Sequence, residues 1–306
     1  MYIPPKIQFF CSSKCSLNCT FCAKHDVDLD VNMDIKTFKK YATKCVDFGI
    51  EEFELTPMIG ESFLDEDIVK RILYLSKKAK KITMFTNMVN FDKTLMSSLR
   101  YCTNLYVHLS IYGNTKEMFI ERTGSNEEAY RKMYNNYTDL YQFKMGSINN
   151  TFNLGEITYR FENEKLDNKN PIDFITHMLQ LTKLCQKFYV FDQDYNWHDL
   201  CKVTETLESE PLERKVKGIC RNFVNDIGIW PNGDVGICSG WFDVNKCMIL
   251  GNINNESMRS LFDEDSLYME ILNEQKEGKY RSLCKHCDYI TKNCDPFIKE
   301  KDVKRF

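Results

Sequence analysis

Cys15, Cys19 and Cys22 stand close together near the N-terminus, in the run Cys15-Ser-Leu-Asn-Cys19-Thr-Phe-Cys22. Three thiolates on one short loop can hold three irons of a [4Fe–4S] cube and leave the fourth iron open to a small molecule. Two other chemistries draw on the same stretch. Cys11 lies four residues before Cys15, so four cysteines can close the cube and make it a plain electron carrier. His25 follows Cys22 after two residues, which also allows a Cys/His zinc site. The segment Lys6-Ile-Gln-Phe-Phe10 reads as a short strand. That reading sets Cys11 at a strand end and the triad in the loop beyond it, which favours the open cube and leaves His25 as a solvated loop residue.

The elements that must carry this loop alternate between strand and helix. Asp34 caps a helix whose apolar positions Ile35, Phe38, Tyr41, Ala42, Cys45 and Phe48 keep helical spacing, and Gly49 ends it. Glu52 to Leu55, Lys81 to Phe85 and Leu105 to Leu109 read as the next strands, with a helix from about Asp65 to Lys77 between the first two. A helical pair follows, its second member starting at Asn126 with Glu127 and Glu128 in the first turn. Ile157 to Phe161 is a fifth strand, Asp173 to Gln186 a helix, and Phe188 to Phe191 a sixth strand. Six such units imply a parallel α/β sheet, either doubly wound or an incomplete barrel. The polar stretch Cys201 to Lys215 marks a boundary, giving an expected division into 1–205 and 206–306.

Composition narrows the class. Of 306 residues, 43% are hydrophobic and 28% charged, the balance of a globular chain with an ample core. A net charge of −3 gives no reason to expect nucleic acid as a partner. The start Met1-Tyr-Ile-Pro-Pro-Lys6 is not a signal peptide, and no apolar run approaches membrane-spanning length. A reducing, cytoplasmic setting is therefore expected, in which 14 cysteines speak for metal ligation over disulfides. Cys45, Cys102 and Cys185 fall on apolar faces and read as buried small hydrophobes.

A second set occupies the C-terminal part: Cys220, Cys238 and the pair Cys284-Lys-His-Cys287. Four thiolates suit a closed [4Fe–4S] cluster or a tetrahedral zinc, and spacing alone does not separate them. Cys247 and Cys294 are left over, as structural thiols, alternative ligands or hydrogen-atom donors.

The C-x3-C-x2-C loop, with aromatic Phe21 before its last cysteine, resembles the signature of the radical S-adenosylmethionine (SAM) enzymes. The resemblance implies an incomplete (β/α)6 TIM-like barrel with a lateral opening. It also implies SAM chelated at the open iron and cleaved by one electron to a 5′-deoxyadenosyl radical that takes hydrogen from a substrate carbon. Trp230-Pro-Asn-Gly-Asp-Val-Gly-Ile-Cys238, and Leu250-Gly-Asn-Ile253 ahead of Ser260-Leu-Phe262, resemble the SPASM and twitch extensions of that family. Those extensions carry auxiliary [4Fe–4S] clusters, so the resemblance favours a second cluster over zinc. With only Cys294 after Cys287, the chain is closer to the shorter twitch form and to the spacing of aminocyclitol dehydrogenases.

The same resemblance assigns SAM contacts. Leu55-Thr-Pro-Met-Ile-Gly-Glu61 stands where relatives have Gly-Gly-Glu, with Ile59 in place of the first glycine, so Gly60 and Glu61 carry over imperfectly. Asn87 after the third strand and Ser110 after the fourth occupy SAM-contacting positions. Arg122 and Arg160 are suited to the SAM carboxylate, and Phe21 to shielding the cluster and meeting the adenine. On the substrate side, Tyr112, Asp192 and His198 follow strands, and Asp192 or His198 can accept a proton if a carbinol is oxidised.

The implied activity is oxidation of a carbon centre in a small polar metabolite of sugar or aminocyclitol type, with an auxiliary cluster taking the second electron. Maturation of a ribosomal peptide by cross-linking or epimerisation is the alternative, against which the cluster loop begins at once after the first strand. A non-catalytic iron–sulfur or zinc protein is the alternative of another class. No nicotinamide or flavin fingerprint is present, so a flavodoxin- or ferredoxin-type donor is an expected partner.

Overall fold

Asp34 starts the first long helix as its sequence predicts. In the computed structural model, which describes residues 3–25, 28–113, 115–146, 151–160, 177, 180–191, 209–211, 218–238, 248–287 and 297–298, the Asp34 carboxylate accepts the N–H groups of Lys36 and Thr37 at 2.8 and 2.9 Å. These are donors that a helix start otherwise leaves unsatisfied. Helix α1 (Ile35–Phe48) buries Phe38, Tyr41, Ala42 and Cys45 and is capped by Gly49.

Strands β1 (Lys6–Phe9), β2 (Glu52–Glu54), β3 (Lys81–Thr86), β4 (Leu105–Ile111), β5 (Asn153–Arg160) and β6 (Cys185–Phe191) are parallel and lie side by side in chain order. Helices α2 (Ile68–Leu75), α3 (Lys93–Ser98), α4 (Lys116–Thr123) and α5 (Glu127–Gly146) fall between them. Right-handed crossovers between consecutive neighbours keep all helices on one face, so the other face curls inward. A doubly wound sheet would reverse its order partway across. The order therefore selects the barrel, and among the described residues β6 pairs only with β5, which leaves the barrel open.

Alternation divides the strand residues between two faces. Ile7, Phe9, Phe53, Ile82, Met84, Val107 and Leu109 are fully buried in one core with Phe38 and Ile72 of the helices. Lys6, Glu54, Phe85 and His108 have the opposite parity and turn into the barrel, where the Phe85 and His108 rings lie 4.4 Å apart.

The C-terminal part is built onto the same sheet. β7 (Ser209–Pro211) and β8 (Ile219–Cys220) pair with β12 (Lys279–Arg281) and β13 (Phe297–Ile298) in two small ladders. β9 (Ile227–Ile229) instead lies parallel to β1, Ile7 opposite Ile227, and continues into β10 (Asp234–Ile237) and β11 (Ile249–Asn252), which are antiparallel. Asn254 fastens this hairpin to α1, donating to the Tyr41 hydroxyl at 2.8 Å and accepting from Lys40 Nζ at 2.8 Å. Inside the barrel, Lys6 pairs with Glu54 of β2 and, at 3.2 Å, with Asp226 ahead of β9.

Several elements differ from the sequence expectation. β5 begins at Asn153, four residues before Ile157, because a bulge opposite Val107 and Leu109 breaks its alternation. Short, polar α3 was not expected. Cys185 and Gln186 open β6 instead of closing a helix. Cys185 is half-buried there, with its thiol donating to the carbonyls of Thr182 and Lys187, whereas Cys45 and Cys102 are buried as expected.

His108 gives the barrel a measurable pH response. Its Nδ1 accepts the Glu156 N–H at 3.1 Å, and burial pulls its pKa from 6.5 down to about 4. The unfolded chain then binds this proton first. The group's contribution to stability is complete above about pH 6.5 and is lost as the pH falls towards 4. At pH 5 the loss is about 2 kcal/mol, a few degrees of apparent Tm. His108→Gln should therefore show a smaller drop in Tm between pH 7 and pH 5 than the wild type, and an equal drop would contradict this account.

Candidate functional site

The loop that carries Cys15, Cys19 and Cys22 is held from three sides. From one side, the last carbonyls of α4 accept from it: Asn18 N–H bonds to Thr123 at 2.8 Å and Thr20 N–H to Arg122 at 3.0 Å. Gly124, which ends α4, makes this approach possible. Its φ is +53°, and a Cβ there would stand 2.4 Å from the Asn18 carbonyl oxygen. From a second side comes the turn after β2, where Glu61 N–H bonds to the Lys14 carbonyl at 2.8 Å. Gly60, at φ +136°, lets the turn press against the Ser12 and Lys14 carbonyls. From the third side, Asn90 in the turn after β3 accepts from Ser16 at 3.0 Å.

Within the loop, Leu17 N–H faces the Cys15 sulfur and Lys24 N–H the Cys22 sulfur, each at 3.5 Å. Burial pushes both thiols above their ordinary pKa, only partly offset by these amides. Such thiols ionise readily only beside a strong cation, and the donor set fits a metal cluster. Cys11 is turned away from this set. It is 3% exposed at the end of β1, among the buried ion pair of Arg71 and Asp65 (2.7 Å), and burial drives its thiol up to about 12. Arg71 also donates to the Met33 carbonyl, while Met33 N–H bonds to the Cys11 carbonyl at 2.8 Å. His25 is exposed, with Nε2 at 2.9 Å from the Cys19 carbonyl, so its ring braces the loop.

The residues expected to meet SAM or substrate lie in two groups, the first of which also takes in Thr86. Glu61, Thr86 and Asn87 form one. The Glu61 carboxylate accepts from the Thr86 hydroxyl at 2.6 Å, Asn87 N–H at 2.8 Å and Phe63 N–H at 3.3 Å. Burial nevertheless raises its pKa to about 7. This carboxylate ties the β2 and β3 turns together, and Asn136 of α5 adds bonds to the Met88 and Val89 carbonyls. Phe21, Tyr112 and Arg122 form the other group: the Phe21 ring lies 5.2 Å from that of Tyr112 and 5.4 Å from the Arg122 guanidinium. Ser110 is buried within β4, level with Thr158 of β5, and so sits inside the strand and not after it. Arg160 ends β5, but its side chain lies outside the described residues, as do Asp192, His198, Cys201, Cys247 and Cys294.

The second cysteine set is drawn from three places in the C-terminal part. Cys220 precedes the short helix Arg221–Asn225, Cys238 follows β10, and Cys284 lies in helix Ser282–His286 with Cys287 at its end. Burial pushes Cys238 well above the ordinary thiol range, and Cys220, Cys287 and Cys284 all add to that push. Cys238 also has φ +61°, a left-handed conformation that costs a non-glycine residue about 1–3 kcal/mol and persists only where surroundings impose it. Cys220 and Cys287 are buried and Cys238 and Cys284 half-buried; grouped thiols of this kind resist proton loss without a cation, and a cluster or zinc ion relieves this. The sequence offered no sign of the Gly124–Asn18 contact or the Glu61–Asn87 bond, because each joins segments remote in the chain.

The geometry agrees with what the chain matches. Residues 10–156 fit the family model described as the Radical SAM superfamily, and residues 220–288 fit that of the SPASM iron–sulfur cluster-binding domain. The chain belongs to the radical SAM superfamily and carries a C-terminal domain of SPASM type; [4Fe–4S] clusters and SAM are the cofactors these domains imply. Among solved structures, BtrN in complex with AdoMet and 2-DOIA is 13% identical, with 94% of each chain covered and a TM-score of 0.57. Streptococcus suis SuiB bound to S-adenosylmethionine is 16% identical over 99% of this chain and 74% of that one, with a TM-score of 0.56. The anSMEcpe structure with bound AdoMet is 17% identical over 94% and 84%, with a TM-score of 0.59. At these identities the likeness is one of fold. No curated protein matches this chain in sequence. No helix among the described residues is long and apolar enough to cross a membrane.

Proposed function

We propose that this chain oxidises a carbon centre of a small polar metabolite, with Cys15, Cys19 and Cys22 holding a SAM-binding cluster and Cys220, Cys238, Cys284 and Cys287 holding an auxiliary one. The observation that carries the reading is a three-thiol loop at the end of β1 together with four further cysteines, three of which lie near enough to Cys238 for their charges to act on it. When bound, the two clusters and SAM supply hydrogen abstraction from carbon and a destination for the electron left behind. The chain's own part is positional. Helix α4 and the β2 turn fix the three-thiol loop, Glu61 and Asn87 shape the wall beside it, and Phe21, Tyr112 and Arg122 form its aromatic and cationic flank. Lys6, Glu54, Asp226 and His108 give the barrel interior a polar character suited to a hydroxyl- or amine-bearing substrate. Asp192 and His198 are the proposed proton acceptors, Arg160 a proposed partner for the SAM carboxylate, and residues 1–205 and 206–306 the proposed units. An external flavodoxin- or ferredoxin-type protein is the proposed electron donor.

Peptide maturation is the second reading, favoured by the peptides SuiA and Cp18Cys bound in structures of SuiB and anSMEcpe. The test is a Cys220→Ala/Cys284→Ala variant of the reconstituted protein, incubated anaerobically with SAM, reductant and candidate substrates. Iron should fall from about eight to about four per chain. 5′-Deoxyadenosine should still form, while oxidised product should fall below detection. Oxidised product from the four-iron variant would exclude the electron-accepting role and favour a redox-neutral reaction.

A further inference from the structure

Helix Leu267–Lys276 buries Tyr268, Ile271, Leu272 and Gln275, the stripe of one helical face. The last of these breaks the pattern, with an amide where the stripe calls for an apolar side chain. Gln275 is 1% exposed. Its Oε1 accepts the N–H of Cys220 at 2.8 Å, which fixes the direction of the amide group. The stripe packs on the segment that begins at this cysteine, with Tyr268 stacked on Phe223 at 4.8 Å. Gln275 Nε2 is buried and has no hydrogen-bond partner among the described residues. Leaving a buried amide donor unsatisfied costs about 1–3 kcal/mol. A leucine would fill the same stripe without that cost, so the donor needs an acceptor that the described polypeptide does not supply. The amide is anchored to the backbone of Cys220, at the edge of a site whose four thiols have nothing but sulfur to offer a donor.

We propose that Gln275 Nε2–H donates a hydrogen bond to a sulfur of the auxiliary cluster and so sets its reduction potential. The inference rests on the reading of Cys220, Cys238, Cys284 and Cys287 as cluster ligands. Hydrogen bonds to cluster sulfurs stabilise the more negative, reduced state and raise the potential. Gln275 thereby acts as a positioning residue that holds Cys220 with its oxygen and makes the cluster a better electron acceptor with its nitrogen.

The test measures both cluster potentials in the reconstituted full-length protein by EPR-monitored titration. Gln275→Glu keeps an oxygen for Cys220 N–H and removes the donor, and Gln275→Leu removes both. In each, the auxiliary potential should fall by about 59 mV, a tenfold change in the oxidised-to-reduced ratio for one electron. The SAM-binding cluster should keep its potential. Wild-type protein labelled with ¹⁵N in its glutamine side chains provides a measurement that no folding defect can confuse. Pulsed EPR of the reduced auxiliary cluster should show a ¹⁵N coupling. An auxiliary potential unchanged in Gln275→Glu, or no such coupling in the wild type, would overturn the proposal while leaving the two-cluster reading intact. About four irons and one zinc per wild-type chain would instead overturn both.

Discussion

Cys19→Ala is expected to abolish formation of 5′-deoxyadenosine from SAM, whereas Cys11→Ala should leave it within a few-fold of wild type. Both cysteines are buried, and they lie only eight positions apart in number, so sequence proximity does not distinguish them. Their surroundings do. Cys19 sits in the loop clamped by α4 and the β2 turn, and its carbonyl is braced by His25. Cys11 belongs to the end of β1, beside Arg71 and Asp65, with its thiol held protonated by burial. Loss of an outer partner of a metal site typically costs roughly 10–100-fold, and loss of one of three ligands should exceed that. Anaerobic assays of reconstituted variants, with iron counted in the same samples, provide the check. Equal loss of iron and activity in Cys11→Ala would show a four-cysteine, closed cube.

Gly124→Ala should be nearly as damaging although it changes no ligand. The new methyl would meet the Asn18 carbonyl oxygen at 2.4 Å, and the residue would be held at φ +53°. The left-handed conformation alone costs about 1–3 kcal/mol, a factor of roughly 5–150, before the contact with a backbone oxygen is relieved. Relief requires Asn18 to move, and Asn18 immediately precedes Cys19. Rapid loss of iron to a chelator and a fall in 5′-deoxyadenosine of at least about tenfold are expected. Gly146→Ala is the control, since a Cβ there has nothing within 4 Å. If the two variants retain iron equally, the clamp from α4 has no role in holding the loop.

Both effects concern a loop that was legible from sequence and a support that was not. Local signals carried far: Asp34 and Gly49 bounded α1, and the stretch Trp230–Cys238, singled out by its resemblance to the SPASM and twitch extensions, holds the β9–β10 hairpin. The doubly wound and barrel forms could not be separated by periodicity, because each strand reads alike in either and only the lateral order decides. The first half of β5 was hidden by its bulge, and α3 by its shortness and polarity. At the site, the family resemblance singled out Glu61 and Arg122. It did not show that the Glu61 carboxylate binds Asn87 N–H and Thr86, or that Arg122 lies over Phe21. Such bonds join the ends of different strands, and no pattern within one segment encodes them.

The place of β9 beside β1 has a consequence for how the chain is made. β1 is made before both of its neighbours in the sheet, and one of them, Ile227–Ile229, follows only after more than two hundred further residues. Until then β1 has an open edge, the kind of surface on which nascent chains pair wrongly. The cysteine loop grows directly from that strand, so its final geometry also waits for late synthesis. Iron acquired before then would be held by a half-built support. The order of translation thus favours cluster loading after β9 has been made, with that late strand closing the edge from which the cysteine loop grows.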